Sequence, residues 1–171
     1  MIGLAFSGGI DSTCLAYELM LQHDDLYFIT ADWKDTKLYA FRVIEALEKN
    51  MNKKIKHILI PDNNDGTYMM EYTKVIRQKK LDSLYFGTTK YPDHMKIKRV
   101  QSYGMIKMPY EYMTKDEVLR RMQHYKIMHL LKYTNSCELN DISKEECMKC
   151  DQCKEKHWAL KRIGYEIYSD S

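Results

Sequence analysis

Apolar residues along this chain alternate between two rhythms. Residues 2–6 form a short uncharged run, the pattern of a strand covered on both faces. From residue 12 to residue 22 the period lengthens, and Leu15, Leu19 and Met20 gather on one side of a predicted helix. A second strand is predicted over residues 26–31. A second helix follows over 37–50, with Ala40, Val43, Ile44 and Leu47 at helical spacing. Residues 57–60 read as a third strand stopped by Pro61, and Asp62-Asn63-Asn64-Asp65-Gly66 as a loop. Next come a helix over 68–80 and a fourth strand over 84–86 that ends at Gly87. Residues 88–104 carry no period and read as a long loop, which in compact domains often goes with function. A fifth strand is predicted over 105–108, then a helix over 114–125 in which Thr114 and Glu117 have the spacing of a capping box. Strands that alternate with helices imply an α/β fold. Its strands run parallel through right-handed crossovers, giving a doubly wound sheet of about five strands.

The length of 171 residues suits one domain whose core is large enough to need no disulfides. Residues 1–132 read as the α/β core, and 133–171 as a cysteine-bearing lobe and closing helix of the same domain. A net charge of +3 neither calls for a nucleic-acid partner nor excludes an anionic ligand such as a nucleotide. No apolar run approaches the roughly 20 residues that span a bilayer, so no membrane is expected as a partner. No basic leader precedes the first strand. The expected location is therefore cytoplasmic, where thiols stay reduced. Five cysteines in that compartment point to metal before disulfides.

The first strand runs directly into Ser7-Gly8-Gly9-Ile10-Asp11-Ser12, which opens the first helix. Paired glycines let the backbone turn tightly and approach a ligand with no Cβ in the way. The free N–H groups of such a loop and helix start bind phosphate, and the Ser7 and Ser12 hydroxyls add donors. Asp11 is out of place directly against phosphate; it suits holding the loop, or holding Mg²⁺ opposite the phosphates. These five fixed residues arise by chance in a chain this long on the order of once in 10⁴. The glycine spacing fits neither a Walker A motif, which needs a following Gly-Lys-Ser/Thr, nor the dinucleotide fingerprint. It resembles the SGGxDS signature of the PP-loop ATP pyrophosphatases. That resemblance implies cleavage of ATP between its α- and β-phosphates, with the substrate adenylated and pyrophosphate released.

Near the C-terminus Cys137, Cys147, Cys150 and Cys153 follow the spacing C-x9-C-x2-C-x2-C. Two-residue gaps let neighbouring thiolates reach one metal, and four thiolates suit a closed tetrahedral zinc site. Such a site contributes roughly 10 kcal/mol or more to the folding of a small lobe. An iron–sulfur cluster uses similar spacings and stays open as an alternative. A redox pair at Cys150 and Cys153 is the weaker reading, because the pair is not expected to open a helix in a thioredoxin-like unit. Cys14, on the first helix, reads as a small core residue.

Taken together, the loop and the cysteine run resemble the 7-cyano-7-deazaguanine synthase (QueC) family, in which the same cysteine pattern binds zinc. Intervening matches are Phe86-Gly87, Tyr91-Pro92-Asp93, Met108-Pro109 with Thr114-Lys115-Asp116-Glu117-Val118, and Thr134-Asn135-Ser136-Cys137. The resemblance implies an adenine nucleotide alpha hydrolase-like fold. It also implies catalytic roles for Asp11, Ser12 and Lys115, and ATP contacts from Ser7, Gly8, Gly9, Asp11, Ser12, Ala31, Gly87 and Lys115. Tyr91 and Asp93 would face the deazapurine, and the four cysteines would hold Zn²⁺. ATP, Mg²⁺ and ammonia are the implied co-reactants, and a homodimer is expected by analogy with similar enzymes. Two departures stand out. The family's Asp-Tyr-Gly-Gln is here Asp32-Trp33-Lys34-Asp35, and its Arg-Asn pair is replaced by Gly66-Thr67-Tyr68-Met69. Two rival readings remain: a tRNA-thiolating PP-loop enzyme and a non-catalytic nucleotide-binding zinc protein. The basic residues Lys96, Lys98 and Arg99 read as a solvated loop or as contacts to phosphates of ATP or of RNA.

Overall fold

The computed structural model describes residues 1–32, 36–61, 68–95, 102–137 and 146–165. Trp33, Lys34, Asp35, the loop at 62–67 and the basic residues Lys96, Lys98 and Arg99 lie outside the described residues. Five parallel strands, β1 (Ile2–Ala5), β2 (Leu26–Asp32), β3 (Lys56–Pro61), β4 (Ser83–Phe86) and β5 (Ile106–Lys107), form one sheet in the order β3-β2-β1-β4-β5. Helices α1 (Ile10–Gln22), α2 (Thr36–Met51), α3 (Tyr68–Lys79), α4 (Lys115–His124) and α5 (Asp151–Arg162) flank it.

Side chains alternate across the sheet as strand geometry requires. Leu4, Phe6 and Phe28 face the larger core, with α1, α2, α4 and Ala159 and Leu160 of α5. Ala5, Ile29 and Leu84 face a smaller core under Tyr72 and Val75 of α3. Covered on both faces, β1 is buried along its whole length, which explains its unbroken apolar run. Strand order reverses at β1: the chain moves outward through β2 and β3, then returns to place β4 on the other side of β1. In open parallel sheets such a switch point leaves a crevice at the strands' carboxyl ends. Here the segments that follow β1 and β4 border it, beginning with Ser7 and Gly87.

Most boundaries shift by one residue or two from the sequence reading, and three of the shifts have a clear local setting. The first helix begins at Ile10, since Gly9 takes the cap position with extended backbone. Pro61 ends β3 from inside the strand, as an edge position allows. The fifth strand shrinks to Ile106–Lys107. A 3-10 turn at Met128–Tyr133, which periodicity does not predict, leads toward the cysteines and buries Leu130 and Leu131. No helix among the described residues is long and apolar enough to cross a membrane.

Candidate functional site

The phosphate loop owes its shape to packing as well as to its glycines. Gly8 sits at φ +74°, and a Cβ there would come within 2.7 Å of the α2 backbone at Tyr39 and Ala40. Ser7 and Ser12 bring their Oγ atoms to 3.2 Å, and the Ser12 and Thr13 hydroxyls donate to the Gly9 carbonyl at 3.1 and 2.7 Å. These bonds close the loop onto the first turn of α1. The N–H groups of Ile10, Asp11 and Ser12 lack the partner four residues back that later helix residues have, which is the arrangement by which a helix start can receive an anion. Gly87 is pressed against this turn. A Cβ on it would lie 2.7 Å from Asp11 C and Ser12 N, so the end of β4 and the start of α1 meet backbone to backbone. The space beside Gly87 on that side is filled by the protein.

Asp11 turns from the loop toward a lysine 104 residues further on: Lys115 Nζ donates to Asp11 Oδ2 at 2.8 Å. Thr89 Oγ1 lies 3.4 Å from the same oxygen. Lys115 begins α4, after Thr114 as its cap. The capping box is formed, with the Glu117 carboxylate accepting the Thr114 N–H at 2.7 Å. The lysine is 2% exposed and also meets Glu155 Oε2 at 3.1 Å. Glu155 comes from α5 and is fully buried. An ammonium so placed lies between two carboxylates and is held as a point charge beside the loop. Asp11 Oδ1 is buried and accepts no hydrogen bond, as is also the case for Glu155 Oε1, but only Asp11 belongs to the loop. An orphaned carboxylate oxygen at an anion site fits a divalent cation, which takes oxygen ligands and bridges to phosphate.

The four cysteines converge: all four Sγ atoms lie within 4.8 Å of one another. Tetrahedral zinc, with Zn–S of about 2.3 Å, needs sulfur–sulfur separations near 3.8 Å. Cys147 and Cys153 already stand at 3.9 Å. The Lys149 and Cys150 N–H groups donate to Cys147 Sγ at 3.4 and 3.3 Å, and these donors hold its thiol down to about 6. Burial pushes the Cys153 thiol up. Thiolate donors in a closed set of four fit a structural metal. Contrary to the sequence expectation, Cys150 does open a helix, as the cap of α5 with Cys153 in its first turn. What sets the pair apart from a dithiol redox motif is the presence of Cys137 and Cys147 in the same cluster.

This cluster lies next to the phosphate loop. Asn135, two residues before Cys137, donates its N–H to the Gly8 carbonyl at 3.2 Å, and its own carbonyl oxygen would be 3.4 Å from a Cβ on Gly9. Its side-chain Oδ1 accepts the Cys137 N–H at 3.0 Å. Two residues past Cys153, Glu155 reaches Lys115. Sequence reading singled out neither Asn135 nor Glu155 as a site residue. Their one signal was position, two residues outside the cysteine run on either side.

The remaining expected site residues spread outward. Ala31 is half-buried near the carboxyl end of β2 and packs against the α3-side core. Tyr91 is buried and its hydroxyl accepts a 2.8 Å hydrogen bond from Gln152 Nε2 of α5. Asp93 stands exposed on a short 3-10 turn, where Lys90 at 2.9 Å holds its carboxyl below the usual range. It lines an open cleft of about 390 Å³ together with His94, Thr114, Trp158 and Arg162. Lys115 is thus drawn to the loop, whereas Tyr91 and Asp93 face the cysteine-bearing helix and the cleft beside it.

Residues 88–164 match the family described as Queuosine biosynthesis protein QueC, and the chain resembles that family across this stretch. Among solved structures, NMN synthetase from Francisella tularensis aligns with 98% of this chain and 79% of its own, at 13% identity and a TM-score of 0.57. The two share an α/β fold. An NH3-dependent NAD synthetase from Campylobacter jejuni, in complex with the nitrate ion, aligns at 17% identity and a TM-score of 0.46, over 77% of this chain and 66% of its own. A predicted subunit of tRNA methyltransferase from Methanocaldococcus jannaschii aligns at 18% identity and a TM-score of 0.40, over 96% and 88%. No curated protein matches the sequence.

Proposed function

We propose that this chain is an ATP-dependent carbon–nitrogen ligase that adenylates the carboxylate of 7-carboxy-7-deazaguanine and uses ammonia to make 7-cyano-7-deazaguanine. The observation that carries the reading is the meeting of the SGGxDS loop with Lys115 at the sheet's switch point, inside a chain whose C-terminal stretch resembles QueC. A carboxylate oxygen of the substrate attacks the α-phosphorus, the bond to the β-phosphate oxygen breaks, and pyrophosphate leaves. Ammonia then attacks the acyl carbon and AMP leaves, giving the amide. The amide oxygen then attacks the α-phosphorus of a second ATP, a second pyrophosphate leaves, and loss of AMP with two protons gives the nitrile. The substrate supplies the nucleophile, so no protein hydroxyl or thiol has to.

Each residue has a part that its surroundings suit. The loop N–H groups, with Ser7 and Ser12, cradle the departing pyrophosphate. Asp11, through the buried Oδ1, would hold Mg²⁺, which when bound neutralises phosphate charge. Lys115 supplies positive charge from the start of α4. The cysteines would hold zinc as a structural ion. In the cleft, the Asp93 carboxylate suits the donor edge of a deazapurine. Cys14 is buried, its thiol pushed up to about 12, with Sγ 3.8 Å from the Val118 carbonyl. A thiol in that state is a poor sulfur carrier, which favours ammonia over sulfur as the second nucleophile.

The test is mass spectrometry of products from zinc-loaded protein mixed with ATP, Mg²⁺, ammonium and 7-carboxy-7-deazaguanine. The nitrile with AMP and pyrophosphate is expected. Amide alone would restrict the reading to the first half-reaction, and ATP binding without either product would overturn the substrate assignment. Asp11→Asn is expected to lower AMP formation at least 10²-fold. An active, folded Asp11→Asn protein would sink the role given to the loop.

A further inference from the structure

Lys115 is held by two carboxylates that differ in kind. Asp11 belongs to the phosphate loop, and one buried oxygen of each carboxylate, Asp11 Oδ1 and Glu155 Oε1, accepts no hydrogen bond. Glu155 belongs to the second turn of α5, is fully buried, and is tied through that helix to Cys150 and Cys153. If Asp11 turns its charge to a cation, the ammonium, 2% exposed, depends on an anion that stays behind. A buried ammonium stripped of its counter-charge is strongly disfavoured, so without a second carboxylate Asp11 would be locked to the lysine.

We propose that Glu155 is a positioning residue for the nucleotide site: it keeps the Lys115 ammonium in place while Asp11 is released to the divalent cation that accompanies ATP. The proposal rests on the nucleotide-binding reading above. Its route is through Lys115 and Asp11, because Glu155 faces the lysine. The helix that carries it begins in the cysteine cluster, so the same element that closes the metal site also fixes the second charge on the lysine.

The experiment uses the full zinc-loaded chain and its Glu155→Gln variant, which has nearly the same shape without the charge. Binding of ATP is titrated by calorimetry at Mg²⁺ concentrations from micromolar to tens of millimolar, alongside thermal melting and the zinc content of each protein. In the variant the Mg²⁺ concentration for half-maximal ATP binding is expected to rise about tenfold or more, as when one partner of a buried charge pair is removed. At saturating Mg²⁺ the affinity is expected to return to near that of the parent, with zinc content unchanged. Removing a negative charge from an anion site by simple field effects would instead tighten ATP binding at every Mg²⁺ concentration, and that outcome would overturn the proposal. A uniform loss at all Mg²⁺ concentrations, tracking a lower melting temperature, would overturn it too, by assigning Glu155 a merely structural role. Parent protein that binds no ATP would defeat the nucleotide-site reading and this proposal with it. Parent binding with an unshifted variant would defeat this proposal alone. Should Glu155→Gln fold poorly, Glu155→Asp, which keeps the charge but withdraws it by one methylene, is expected to shift the Mg²⁺ dependence in the same direction by a smaller factor. An unshifted, folded Glu155→Asp protein would count against the proposal.

Discussion

A methyl group at position 87 has no room. Its carbon would lie 2.7 Å from Asp11 C and Ser12 N, both backbone atoms that cannot swing aside. Gly87→Ala must therefore push β4 away from the first turn of α1, the turn that carries Asp11 and Ser12. A cost of about 1–3 kcal/mol is expected, as for other overpacking changes. Displacing the loop is also expected to weaken ATP binding by an order of magnitude or more, because positioned groups lose effect steeply with misplacement. Thermal melting and an ATP titration check the two parts; a variant with parental values in both would show that the backbones can separate freely. At this scale sequence reading went a certain distance. It assigned Gly87 an ATP contact on resemblance, and the geometry adds the close approach of two protein backbones there. It matched Lys115 to phosphate chemistry, but the carboxylates that hold the lysine come from residues 11 and 155 and leave no local pattern.

Among the elements, edge strand β3 illustrates how a titrating group becomes part of the packing. His57 on β3 lies 2.9 Å from Thr30 Oγ1 on β2, and its ring packs edge-on against Phe41 of α2. Thr30 spends its hydroxyl proton on the Phe6 carbonyl at 2.7 Å, so His57 donates to it through Nε2. Burial holds its pKa below the ordinary value. The unfolded chain thus takes up this proton at a higher pH than the folded one. The stabilising contribution is complete above about pH 6.5 and is lost as pH falls from there through the lowered folded value. His57→Gln retains a donor for Thr30 and removes the titration. From pH 7.5 to pH 5 the parent is expected to lose about 2–4 °C more in Tm than this variant. Equal losses would show that the imidazole charges without penalty. Element type was readable here, with Pro61 and the loop residues after it as the stop. The pairing of β3 with β2, which gives His57 its partner, was not.

For the whole molecule, the cysteine cluster and the loop at residues 7–12 form one assembly. Asn135 bonds the Gly8 carbonyl and caps the Cys137 peptide, while α5 runs from Cys150 into the main core through Ala159 and Leu160. Stripping the metal with a chelator is expected to lower Tm, because the lobe around the cysteines loses the metal's contribution to its folding. Far-UV circular dichroism should stay largely intact, since both cores are packed around the sheet. ATP affinity should fall in the same titration and return on adding zinc. Loss of metal with unchanged ATP binding would mean that the cluster supports the tail alone.

What the sequence determined by itself is what short-range physics encodes. A period of two or of 3.6 residues marks strand or helix. Glycines and hydroxyl residues after a strand mark an anion-binding turn, and two-residue gaps between thiols mark a metal site. Each of these needs only neighbours a few positions away, so each was legible, down to the capping box at Thr114 and Glu117. Only the tertiary structure decided the strand order β3-β2-β1-β4-β5, the burial of Lys115 between Asp11 and Glu155, and the seat of Asn135 against the loop. Those contacts join residues up to more than a hundred positions apart. They form because packed helices and strands bring the residues together, and no local pattern of residues announces them.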